Sequence, residues 1–338
     1  MVTTASYRYW FILAGILIVS FLINITFGSV RIPFSQILYI LTGGIPENPA
    51  WKSIVLDFRL TKALTCILAG SALATGGLLM QTLFRNPLAG PDVLGLTSGA
   101  SLAVAVLIML GNSLLPWLTG SFSITIAASL GAGLLFLIII ALSRSVNDHA
   151  SLLLIGLMIG ALTAALVSIL QFTSRASDQQ YYLVWTFGSL GGLSWAELTI
   201  LAVFSLSGCL LAFQLIKPLN TWLLGDQYAR SLGINIQRSR LIIIISTAML
   251  TGSVTAFCGP IAFVGLAVPH LTRLLINTMN HKPLLPAVSM GGASFMLLCD
   301  TLAQLPGSGY IIPINAVTSL AGAPVVIWVI VKSRRLHI

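Results

Sequence analysis

The chain has 338 residues, of which 57% are apolar and 7% charged, with a formal net charge of +9. Soluble domains carry about 25% charged residues, and a water-soluble chain of this length could not cover so much apolar side chain with polar surface. Ordinary soluble folds are therefore excluded, and lipid is the solvent this sequence expects.

A spanning helix needs about 20 mostly apolar residues. Ten segments qualify in chain order: 10–27, 63–83, 93–110, 122–142, 152–172, 195–216, 241–257, 261–279, 284–302 and 311–331. Arg8 ahead of the first run resembles the start of a signal peptide, but no A-x-A cleavage pattern follows, so the run reads as a retained helix. The third and eighth segments are short and interrupted by Gly and Pro. No hydrophilic stretch is large enough for a separate soluble domain, so residues 1–338 read as one membrane domain of all-α class. With the N-terminus placed in the cytoplasm, 12 Lys and Arg fall on that side and 5 on the other. This bias predicts both termini inside and an even number of spans. It also accounts for the net charge without nucleic acid, because no soluble surface gathers the basic residues.

The spans are rich in small residues, such as Gly70, Gly76-Gly77, Gly131 and Gly291-Gly292. These let helix backbones approach closely in lipid. The stretches at 86–99 and 259–270 echo one another, each placing Pro, an aliphatic residue and Ala after a Gly-containing helix. Their opposite sidedness predicts an inverted-topology repeat with a transport path at its interface.

The polar residues narrow the chemistry. The 8 acidic residues all lie in loops or near span ends, so no intramembrane carboxylate relay of a proton-coupled carrier is visible. His270 lies within the eighth segment, but H-E-x-x-H spacing is missing. The four cysteines, Cys66, Cys209, Cys258 and Cys299, show no C-x-x-C spacing and read as small buried hydrophobes. Ser98 and Ser101 have no His partner in sequence and read as helix-packing residues. No metal, cofactor or catalytic set is expected. No glycine precedes a lysine, so the G-x-x-x-x-G-K phosphate loop is missing. Energy for active transport would have to come from another polypeptide.

The segment 219–240, LNTWLLGDQYARSLGINIQRSR, offers a contact for such a partner. Asp226 reads as an N-cap and Gly233 as the left-handed residue past the C-terminus, enclosing a helix over 227–232. So short a helix is marginal alone. Its apolar side, Tyr228, Ala229 and Leu232, would gain by docking into a groove on a partner; the alternative is a plain connecting loop on the membrane surface.

Four stretches carry a resemblance that covers about 59–331: RLTKALTCILAGSALATGGLLMQTLFRNPLAGPDVLGLTSGA (59–100), LGDQYARSLGI (224–234), GPIAFVGLAVPHLTRLL (259–275) and PINAVTSLAGAPVVIWVI (313–330). The chain resembles the FecCD-type permease subunits of bacterial ABC importers for iron–siderophores, haem and cobalamin. The resemblance implies ten spanning helices, a second permease copy (a homodimer), two copies of an ATPase below, and a periplasmic binding protein above. It implies residence in the bacterial inner membrane, contact with lipid, and no covalent chemistry in this subunit. By position, Gly225, Asp226, Ala229, Leu232 and Gly233 match the family's ATPase-coupling loop. Asn86, Pro87 and Leu88 match its cytoplasmic gate, where Pro87 stiffens the turn. Arg59 and Lys62 match its basic contacts to the binding protein, although Lys62 cannot make a bidentate carboxylate contact. A third basic position reads Gln304. The second gate loop reads Asp148-His149-Ala150-Ser151, where the family favours small hydroxyl residues. An iron–siderophore is the expected cargo, with cobalamin or haem as alternatives; an ion-coupled carrier and a membrane-embedded enzyme are rival classes.

Overall fold

A computed structural model describes residues 4–111, 121–146, 148–304 and 311–334. Residues 1–3 and 335–338, and so both chain ends, lie outside the described residues. The described residues are helical, with no strand among them.

Helix α1, Thr4–Thr26, is followed by two short helices, α2 (Phe34–Leu41) and α3 (Pro49–Ser53). A π-wound stretch, Ile54–Leu60, joins α3 to α4 (Thr61–Leu83) without a break. A turn with a single 3-10 helical turn at Pro91–Leu94 leads to α5 (Leu96–Val106), which continues in π winding to Gly111. Then come α6 (Ser121–Ser145), α7 (His149–Thr173), α8 (Ala176–Thr186) and α9 (Trp195–Gln214). Two short helices follow, α10 (Ile216–Trp222) and α11 (Asp226–Ser231). The chain closes with α12 (Ile236–Cys258), α13 (Val264–Ile276), α14 (His281–Ala303) and α15 (Ile314–Arg334).

Seven of these stretches are long and apolar enough to cross a membrane, and Leu96–Gly111, Val264–Ile276 and Ile314–Val329 are shorter apolar helices. Together they match the ten segments expected from hydropathy. The helices α8 and α10 were not among those segments, because their composition is mixed.

Helix α4 is the axis of the bundle, and its residues from Ala69 to Leu83 are mostly buried. It packs on α14, α12, α13 and α9. Glycine permits this proximity. A Cβ on Gly77 would stand 1.9 Å from the Gly265 carbonyl oxygen, and one on Gly70 would stand 2.2 Å from that of Gly292. Backbones therefore touch where α4 meets α13 and α14. The same device joins α5 to α6, where a Gly131 Cβ would lie 2.2 Å from Gly99 O. Lipid supplies no hydrophobic drive between helices, so such dispersion contacts hold the bundle together.

The two echoing stretches share a backbone device. Gly95 caps α5 in the left-handed region at φ 74°, and Phe263 caps α13 there at φ 67°. Each follows an irregular turn and starts a short helix. Pro91 of the first turn packs on Gly265 in the first turn of α13, whose Cβ would lie 2.5 Å from Pro91 Cδ. The strongest resemblance motifs thus meet in space.

Gly265→Val should prevent this seating. We expect loss of monodisperse protein in detergent chromatography, or a markedly lower unfolding temperature. Gly15→Val, where nothing lies within 4 Å, should change neither; equal behaviour of the two variants would contradict the glycine-contact account.

Candidate functional site

A polar cavity of about 530 Å³ lies among α5, α7, α8 and the start of α15. Its polar lining includes Asp92, Thr97, Ser98, Ser101, Thr163 and Gln171. On α7 the lining runs from Gly160 to Gln171, about 16 Å along the helix axis at 1.5 Å per residue. Gly95 sits against Gly156 O, so Asp92 and Thr97 lie toward the Gly156 end of α7. The Thr97 hydroxyl donates to Asp92 Oδ1 at 2.5 Å. Desolvation by the surrounding walls pushes the Asp92 carboxyl above its ordinary value, and the Thr97 bond opposes this.

Tyr182 of α8 closes one wall. Burial pushes its phenol up, partly offset by a hydrogen bond with Ser101, so it stays neutral. Its ring stacks beside Trp185 with centroids 6.1 Å apart. Asn315 Oδ1 accepts from the Ala262 amide at 3.1 Å and holds the extended 260–262 segment against the cavity. Ser98 and Ser101, read from sequence as packing residues, therefore face the cavity. One chain does not reveal which side of a helix a serine presents. The 3.6-residue spacing of Ser101, Ser98 and Thr97 was the available signal.

Beyond α4, Asn86, Pro87 and Leu88 form one tight turn. Asn86 Oδ1 accepts from the Leu88 amide at 2.9 Å, and the Asn86 carbonyl accepts from Ala89 at 3.0 Å. Arg85 enters this turn with φ 46°. A polar strut supports it. His270 Nε2 pairs with Pro87 O at 2.8 Å, and Arg273 donates to Gln81 Oε1 at 3.0 Å. Next to it, His281 bridges Thr82 Oγ1 (3.0 Å) and Asn220 Oδ1 (2.9 Å), and Arg85 donates to Trp222 O at 3.4 Å. The end of α4, the turn that follows it and α10 are therefore joined by side chains.

Beyond α10, Gly225 occupies the N-cap of α11 with φ 109°. This corrects the expected Asp226 cap: the helix begins at Asp226, because the glycine can adopt a backbone conformation closed to other residues. Gly233 ends α11 as anticipated, with φ 78°. Its amide donates to Arg230 O and that of Ile234 to Ala229 O, at 2.9 and 3.0 Å, the bond pair of a Schellman cap. Ala229 is fully buried against the bundle, whereas Leu223, Leu224, Tyr228 and Leu232 are exposed. The apolar face is therefore split: Ala229 seats the helix, and the other four lie on the open surface.

The expected outer contacts turn inward. Arg59 is 8% exposed and donates to the carbonyls of Ile25 (3.0 Å), Thr26 (2.9 Å) and Val30. It neutralises the C-terminal end of α1, where a cation is favourable. Lys62 Nζ lies 2.9 Å from Asp300 Oδ1. Asn24 and Gln304 donate to Asp300 Oδ2 at 2.9 and 2.8 Å. Asp300 looked like a span-end acid in sequence; it is buried and ties α1, α4 and α14 together. In the second gate loop, Asp148 caps α7 by accepting from the Ser151 amide at 2.8 Å.

Ten apolar helices among the described residues, with a polar cavity between some of them and a pair of short connecting helices, mark a polytopic membrane protein. The chain belongs to the FecCD transport family, whose family model matches residues 16–332. It is 36% identical to the hemin transport system permease protein of Yersinia pestis over 93% of both chains. It is 34% identical to the vitamin B12 import system permease protein of Klebsiella pneumoniae, covering 97% of this chain and 95% of the relative. A solved metal-chelate-type ABC transporter in an inward-facing conformation superposes with TM-score 0.83 at 29% identity, over 95% of this chain and 98% of that one. The chain is therefore a membrane-spanning permease homologous to haem and vitamin B12 ABC-importer permeases, a transport channel and not a catalyst.

Removing one member of a buried ion pair leaves an uncompensated charge and costs about 3–5 kcal/mol. Lys62→Met should therefore lower thermal stability in detergent. Adding Asp300→Asn should recover a large part of that loss. Equal stability of Lys62→Met and wild type would show that the pair holds nothing.

Proposed function

We propose that this permease forms the translocation path of an ABC importer for a metal chelate or corrinoid, powered by a separate ATPase. The polar cavity carries the reading. A concave wall bearing a carboxylate and several hydroxyls would be costly facing hydrocarbon, so it must line a water-filled passage. A second copy facing it would complete the passage, and residues 1–338 would act as one permease domain in the bacterial inner membrane with both termini cytoplasmic. A periplasmic binding protein would deliver an iron–siderophore, haem or cobalamin from the outer side.

The exposed Leu223, Leu224, Tyr228 and Leu232 form the surface for a groove on each of two ATPase copies, and the coupling segment spans 219–240. Gly225, Asp226, Ala229 and Gly233 shape and seat the helix that presents it. The strut through His281 and Arg85 would carry movement of that helix to Asn86, Pro87 and Leu88, whose turn acts as the cytoplasmic gate. Rigid-body shifts of the bundle then alternate access. Arg59 and Lys62 fix the outer ends of α1, α4 and α14. Their contact with the binding protein would require these bonds to be shared.

The ion-coupled alternative lacks a carboxylate relay: Asp300 is neutralised by Lys62, and Asp92 faces the cavity alone among its lining residues.

Two outcomes test this proposal. The chain reconstituted with its ATPase and binding protein should take up substrate with ATP, and uptake should stop with a hydrolysis-dead ATPase; persistent uptake would overturn the energy coupling. Tyr228→Glu should abolish ATPase co-purification while the permease remains folded. Ala229→Glu should instead destabilise the permease itself. Unchanged co-purification of Tyr228→Glu would remove the docking role.

A further inference from the structure

The charges and donor atoms of the cavity lining restrict what can pass. We infer that the cargo is a neutral or net-cationic metal chelate rich in amide and hydroxyl groups, and that Asp92 is the residue that selects against anionic cargo. This inference rests on the cavity being the translocation path.

Among the residues that line the cavity, Asp92 is the carboxylate, and none is Lys, Arg or His. Arg175 is exposed in the turn between α7 and α8, beyond Gln171 and outside the lining. A cargo bearing free carboxylates or catecholate charge would meet like charge at Asp92, with no cation among the described lining residues to offset it. A second copy facing this one would bring a second Asp92 to the same passage. Like charges placed together without compensation are strongly disfavoured. A cation near Asp92, by contrast, favours the ionised carboxylate. Thr97 donates to Oδ1 and orients the group.

The rest of the polar lining is neutral. Ser98, Thr163, Ser168, Gln171 and Asn315 offer hydroxyl and amide groups, which complement amide-rich or hydroxamate peripheries. Among the described residues, the lining also contains no His, Cys or Met. It has no soft or imidazole donor to compete for a bound metal, so a chelate would cross with its coordination sphere intact and be recognised through its ligand. Two sources share this chemistry: a corrinoid fringed with amides, and a ferric trihydroxamate. Haem, with two propionates, and a ferric tris-catecholate do not.

The test uses the full importer in proteoliposomes, with the same binding protein throughout. Four probes are compared: cyanocobalamin, a ferric trihydroxamate bearing one ammonium group, haemin and a ferric tris-catecholate. Wild type should transport one of the first two about tenfold faster than either anionic probe, and which of the two it is identifies the source. Asp92→Asn should shrink that ratio several-fold, and Asp92→Lys should shrink it further or invert it. Thr97→Val, which keeps the carboxylate but removes its orienting bond, should shift the ratio in the same direction and serves if an Asp92 variant fails to assemble. Wild-type preference for haemin or the catecholate would overturn the inference, as would ratios unchanged in all assembled variants. Failure of an assembled, ATP-hydrolysing complex to move any of the four would instead overturn the permease reading beneath it.

Discussion

In the hydrocarbon core no water is available to satisfy a polar group, so each one must find a protein partner or open onto a wet cavity. Most of the polar architecture of this permease follows from that constraint. Arg59 is spent on the end of α1, Lys62 on Asp300, Arg273 on Gln81 and His270 on Pro87 O. A further polar concentration, around Asp92 and Thr97, lines the cavity.

The same solvent explains the glycines. Between apolar helices in lipid, contact area and proximity replace the hydrophobic effect, and α4 reaches both through Gly70 and Gly77. Those contacts place the turn at Pro91 directly on Gly265. The turn in turn aims Asp92 and Thr97 at the cavity on one side, while its start, Asn86 to Leu88, faces the polar strut. A rigid crossing thus fixes the 86–88 turn and the cavity relative to each other, as the proposed rigid-body alternation would require.

The spans were legible because hydropathy depends only on composition over about 20 residues. Their order, the short helix after the sixth span and its Gly233 end were legible for similarly local reasons. Direction was not. Ala229 was grouped with Tyr228 and Leu232, yet it points into the bundle, because a two-turn helix has too few residues to fix its inner face from pattern. Arg59 and Lys62 read as outward charges; only long-range contacts with Ile25 O and Asp300, far away in sequence, show that they turn inward. Helix α8 escaped notice because a cavity wall is neither apolar enough for a span nor polar enough for a loop. Asp92 and its serine neighbours looked like a loop acid and packing residues for the same reason.

The central claim is that this cavity is a water-filled segment of a passage between the two sides of the membrane. Cysteine labelling on a background free of native cysteines tests it directly. Ser168→Cys, in the cavity, should react with a membrane-impermeant thiol reagent, and its rate should change when ATP is supplied to the assembled complex. Leu157→Cys, on the exposed apolar face of α7, should remain unreactive in both conditions. A Ser168→Cys as inert as Leu157→Cys, with or without ATP, would contradict the account.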